Sequence, residues 1–168
     1  MRRADLAQFA GALEGPVERF AREAGVRLVL LINESGQVLA QRGFARALDV
    51  MGVAALGAGI HASSQALAVM IGEGGFRHLH QGGRAAQVFI GPFRTPAENL
   101  IAVAVFGEDS SLGLVQVFFA ELAREVAELP GWSETRPTAN ARAFERDLVA
   151  GLETIFGGQD GAAAEPGA

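Results

Sequence analysis

The segment 48–72, LDVMGVAALGAGIHASSQALAVMIG, constrains this chain more than any other. Its length and its Ala, Leu and Met content predict a helix. Asp49 stands at its start, where a cap or a first-turn negative charge is favourable. The helix is apolar almost all round, and much of one side is small: Gly52, Ala55, Gly59, Ala62, Ser63 and Ala66. A glycine inside a helix costs about 1 kcal/mol relative to alanine, and close approach of a packing partner offsets that cost. One face of such a helix can pack on the chain's own sheet. The opposite face then needs a second chain.

The segments on either side supply that sheet. Residues 5–24 place Leu6, Phe9, Leu13, Val17, Phe20 and Ala24 on one helical stripe, with Gly15-Pro16 predicting a break and Gly25 a C-terminal cap. An apolar run over 26–33, the turn Glu34-Ser35-Gly36 and a second run over 37–41 read as a hairpin. After the central helix, Gly72-Glu73-Gly74-Gly75 is a stop signal. Strands are expected over 76–81, 84–91 and 100–106, with 91–99 as a two-proline hairpin loop. Ala102 and Ala104 leave room for something large above one face of the last strand. Asp109-Ser110-Ser111 then caps a helix over 112–129, ended by Pro130-Gly131. The order α-β-β-α-β-β-β-α describes an α+β layer fold over residues 1–130. Beyond it, 131–141 reads as a polar linker and 142–156 as an amphipathic helix. The stretch 157–168, rich in Gly and Ala, reads as a disordered tail.

Absent residue types exclude whole chemistries. There is no Cys and no Tyr, and all 14 basic residues are Arg. Without Lys there is no Walker-type phosphate loop and no Schiff base; without Cys there is no thiolate metal site, disulfide or cysteine nucleophile. A net charge of -5 disfavours nucleic acid as a partner. The N-terminal stretch is interrupted by Asp5, Gln8, Gly11 and Glu14, unlike a signal peptide. The most apolar stretch, 50–71, is broken by glycines, His61, Ser63, Ser64 and Gln65. No membrane span and a cytoplasmic location are therefore expected.

Candidate catalytic groups are weak. His78 and His80 share a strand face, but no third ligand converges with them or with His61, so strand histidines with ordinary hydrogen bonds are the better reading. Ser63-Ser64 lies mid-helix with no nucleophile elbow around it. Glu121, Glu125 and Glu128 with Arg124 form a solvated helix face. Arg42, Arg77 and Arg84 near strand ends could each act as an arginine finger toward a GTPase, though surface arginine is the commoner role. No active site, metal or cofactor is expected.

Four blocks carry a family resemblance: LVLLINESGQVLA (28–40), QALAVMIGEGGF (65–76), LHQGGR (79–84) and LIAVAVFGEDSSLGLVQ (100–116). With these the chain resembles the roadblock/dynein light chain family over residues 5–130. Its IGEGGF and LHQGGR blocks and its extended tail resemble the bacterial MglB-like GTPase-activating subgroup. The resemblance implies a five-stranded antiparallel sheet with the middle helix on one face and the first and third helices on the other. It also implies a homodimer joined through the middle helix and the strand after it. Such proteins bind a small Ras-like GTPase of MglA type and stimulate GTP hydrolysis in cell polarity by repositioning the GTPase's own catalytic residues, without an arginine finger. The matching GTPase-binding positions are Gly59, Ala62, Ser63, Ala66, Val69 and Met70. A second contact through the C-terminal helix maps to Phe144, Leu148, Leu152 and Phe156. The alternative is a dimerising scaffold subunit that leaves nucleotide turnover unchanged.

Overall fold

The computed structural model describes residues 3–43 and 49–132. Apolar runs pair into strands, and helical stripes cover them. The elements are α1 (Arg3–Glu23), β1 (Leu28–Asn33), β2 (Val38–Gly43), α2 (Val50–Met70), β3 (Leu79–Gly82), β4 (Gln87–Arg94), β5 (Asn99–Phe106) and α3 (Leu112–Ala127). The strands form one antiparallel sheet in the order β2-β1-β5-β4-β3. This is the expected α+β order. The central strands β1 and β5 are buried on both faces, as their nearly continuous apolar sequences require.

The two sheet faces hold separate cores. On one, Val29, Leu31, Ala102, Ala104 and Phe106 meet Leu13, Val17 and Phe20 of α1 and Val115, Leu122 and Val126 of α3. The small pair Ala102 and Ala104 does lie beneath large helix residues, as the sequence suggested. Phe119 also presses down over Gly91, where an added Cβ would come within 2.6 Å of its ring. On the other face, Leu28, Leu30, Ile32, Ile90, Ile101 and Val103 meet Ala54 and Ala58 of α2. Here the sheet supplies most of the bulk, and Val50, Val53 and Ile60 of α2 pack half-buried at the margins.

Local signals explain most element ends. Gly25 ends α1 at φ 63°, and Ser110 donates its hydroxyl to the Ala24 carbonyl, tying that end to the β5–α3 loop. Ser111 Oγ accepts from the Leu114 amide at 3.2 Å and caps α3. At the end of α2, Gly72 takes φ 78°. Its amide donates to Val69 and that of Glu73 to Ala68, which is a Schellman closure.

Four expectations are corrected. Gly15-Pro16 does not break α1, which runs through Pro16. The residue before proline normally clashes in a helix through its Cβ, and glycine has none. The flanking Leu13, Val17 and Phe20 are also buried and hold the register. Pro92 lies inside β4, paired with Ile101, and the hairpin loop shrinks to 95–98. β4 pairs with β3 only over Gln87–Ile90, so Pro92 lies past that ladder, where a missing N–H is tolerated. Asp49 is the N-cap of α2 by position, but its side chain makes no capping bond. Lastly, Trp132 is buried in the α1/α3 core, its indole N–H donating to the Val126 carbonyl at 2.6 Å. The linker-like composition read from residue 131 onward hid it.

The described residues fall within one unit, residues 1–134. The expected linker beyond Trp132, the amphipathic helix 142–156 and the tail lie outside the described residues. By length and composition α2 is apolar enough to cross a bilayer, despite its interruptions, and 33% of its apolar window is buried in the fold.

Gly57 lets α2 approach the sheet closely: an added Cβ would lie 2.9 Å from Val103 Cγ2 and 3.7 Å from Ile32 Cδ1. Gly57→Val should therefore destabilise the protein by about 1–3 kcal/mol, because overpacking exceeds the small gain in helix propensity. Urea unfolding followed by circular dichroism measures this.

Candidate functional site

A helix lying on a sheet buries one stripe and exposes the rest. In α2 the buried stripe is Ala54, Gly57, Ala58, His61, Ser64 and Ala68. The exposed face has two parts. Its middle is small: Ala55, Gly59, Ala62, Ser63 and Ala66. Nothing lies within 4 Å of a Cβ placed on Gly59, so that point opens to solvent. Ser63 Oγ donates to the Gly59 carbonyl at 2.9 Å, which spends its hydroxyl within the helix. The ends of the face are large and apolar, with Leu56 69%, Val69 75% and Met70 83% exposed. Met51, Leu67 and Ile71 are exposed beside them. No Asp, Glu, Lys or Arg occurs between Val50 and Ile71. This is a contiguous uncharged surface of a kind that monomeric proteins seldom leave open.

The structure therefore places all six sequence-assigned positions, Gly59, Ala62, Ser63, Ala66, Val69 and Met70, on one exposed face. It adds Met51, Leu56, Leu67 and Ile71, which the sequence reading left out of the site. Their signal was present in the two apolar faces of the helix, but the sequence does not say which large residues the sheet covers. The positions Phe144, Leu148, Leu152 and Phe156 lie outside the described residues. Beside α2, β3 is an edge strand: among the described residues it pairs only with β4.

The weaker candidates resolve into structural roles. The Gln116 amide nitrogen donates to His78 Nε2 at 2.8 Å, and His80 Nε2 donates to Gln87 Oε1 at 2.8 Å. Their rings stack on Phe89 and Phe106, on the sheet face away from α2. Ser64 is buried under α2. Arg42 pairs with Glu18 at 2.8 Å on the far edge strand β2, while Arg77 and Arg84 are exposed. Among the described residues no group of three or more His, Asp or Glu could hold a metal ion.

One carboxyl is electrostatically perturbed. Loss of solvent around Glu98, helped by the nearby negative charge of Glu34, raises its pKa above the ordinary carboxylate value. A raised carboxyl pKa means that the folded state holds its proton more tightly than the unfolded chain does. Its ionised form therefore costs stability above the folded pKa, and that cost disappears as the pH falls below the ordinary value. Glu98→Gln should raise Tm at neutral pH, with the gain shrinking toward about pH 4. Thermal melts across that window read the effect.

Residues 14–102 match the Roadblock/LC7 domain family. The fold resembles Myxococcus xanthus MglB with a TM-score of 0.63 at 24% identity, covering 69% of this chain and 92% of that one. It resembles the gliding protein MglB of Thermus thermophilus with a TM-score of 0.61 at 28% identity, covering 76% and 91%. A structure of MglB in a tetrameric arrangement matches with a TM-score of 0.63 at 26% identity, covering 80% and 95%. No curated protein matches the sequence.

Proposed function

This chain belongs to the Roadblock/LC7 domain family, and on that footing we propose that it is a cytoplasmic, homodimeric regulator that binds a small Ras-like GTPase and stimulates its GTP hydrolysis. The observation that carries this reading is the uncharged outer face of α2, small in the middle and large at both ends. Likeness to MglB structures at 26% and 28% identity supports the same class of regulator.

The surface suits the work in physical terms. Small residues let a partner's backbone come close, while Leu56, Leu67, Val69 and Met70 supply apolar area to bury, worth about 25 cal/mol per Å² removed from water. Flexible methionines adapt to a partner whose loops change between nucleotide states. In the dimer, α2 and the free edge of β3 meet their copies and extend the sheet across the two-fold axis, which covers the edge's unpaired backbone groups. The nucleotide and its phosphate loop belong to the GTPase. The regulator acts by favouring one arrangement of the GTPase's own catalytic groups, and the stimulation it produces is limited by its differential affinity for that arrangement.

Three measurements test the reading. Light scattering should give twice the chain mass, and a concentration-independent monomer would defeat the dimer. With an MglA-type GTPase, added protein should accelerate GTP hydrolysis. Binding without acceleration would assign the scaffold role instead. Ala62→Arg should abolish GTPase binding, because a long cation at a close contact cannot be buried without a partner. Circular dichroism should show its fold intact, since Ala62 is exposed. Unchanged affinity in that variant would remove the α2 face from the site.

A further inference from the structure

Beside α2, away from its outer face, lies a cleft of about 390 Å³. His61 and Gln65 of α2 form one wall, Arg94 and Asn99 from the β4–β5 hairpin another, and Glu34 from the β1–β2 turn part of the rim. His61 is only 6% exposed, yet it makes no hydrogen bond among the described residues. Its ring nitrogens are not sealed from solvent either, which leaves the cleft as their outlet. Arg94 likewise has no ion-pair partner among the described residues, and it is not paired with Glu34 across the cleft. A buried imidazole and a guanidinium, both without partners, thus line one concave space.

We propose that this cleft binds a small monocarboxylate, held by the Arg94 guanidinium and a ring N–H of His61. Planar carboxylates suit the guanidinium fork, which donates two parallel hydrogen bonds. Pro92, which pairs with Ile101 on the α2 side of the sheet, offers the apolar contact for the carbon body. Charge selects the class of anion. Glu34 stands on the rim, its carboxylate accepting from Asn99 Nδ2 at 3.0 Å, and Glu98 lies close enough to Glu34 to interact with it electrostatically. One guanidinium balances a single negative charge, and the Glu34 carboxylate on the rim repels the second charge of a phosphate dianion.

The test uses acetate as probe and the intact chain. Imidazole resonances of the three histidines are followed by NMR during titration with sodium acetate, sodium chloride and sodium phosphate at fixed pH and ionic strength. Acetate should shift the His61 signals saturably while His78 and His80 stay in place, and chloride should not reproduce the shift. Arg94→Gln, an exposed change that spares the fold, should weaken acetate about tenfold or more. Absence of a saturable His61 shift, an equal shift in chloride, tighter binding of phosphate than of acetate, or an unchanged affinity in Arg94→Gln each overturns the proposal. None of these readouts involves a GTPase, so the cleft and the α2 face stand or fall separately.

Discussion

At the middle of β5, Ile101 and Val103 project toward α2 while Ala102 and Ala104 project toward α1 and α3. Every other feature of the molecule follows from this alternation of size. On the α1/α3 side the helices bring the bulk: Phe20, Phe119 and Leu122 fill the space above two alanines. On the α2 side the strands bring it, and the helix answers with Ala54, Gly57 and Ala58. Interiors pack at crystal-like density, so large must face small on each side. The sheet cannot be turned over without leaving a void on one face and a collision on the other.

The consequence reaches the outer surface. Because the buried stripe of α2 is small, with Val50, Val53 and Ile60 packed only at its margins, its Leu and Met side chains are free to point outward. A conventional amphipathic helix would put charges there. This one puts Met51, Leu56, Leu67, Val69 and Met70 there instead. The Gly72 closure stops the helix just after Met70, so two of these residues sit at the very rim of the surface. Of the groups the sequence offered for chemistry, Arg42, His78, His80 and Ser63 are engaged in structural bonds. The family, the fold and the uncharged face agree in pointing to recognition of another protein.

Much of this was legible in the sequence, for identifiable reasons. Element order followed from apolar periodicity, and the ends at Gly25, Gly72 and Ser111 followed from residues whose conformational and hydrogen-bonding preferences are strong and local. The misreadings came where tertiary packing overrides a local rule. Pro16 stays helical because glycine precedes it and the sheet holds its neighbours. Pro92 stays in a strand because it lies past the end of the β3 ladder. Trp132 was hidden in a polar stretch, its burial determined by the α1/α3 core that it joins. The α2 positions were readable as a small-residue stripe. That Leu56 and Leu67 join them depends on how the helix is rotated on the sheet, and no local signal fixes that rotation.

Trp132 is the one tryptophan in a chain without tyrosine. Its indole is sealed between α1 and α3, hydrogen-bonded to the Val126 carbonyl. The protein's near-ultraviolet emission is therefore a reporter of a single layer. It will register the loss of the α1/α3 core on unfolding and remain dark to events on α2, on the opposite side of the sheet. A fluorescence titration that shows no change on mixing with a partner is thus no sign of failed association, and a probe placed on the α2 side is required to see it.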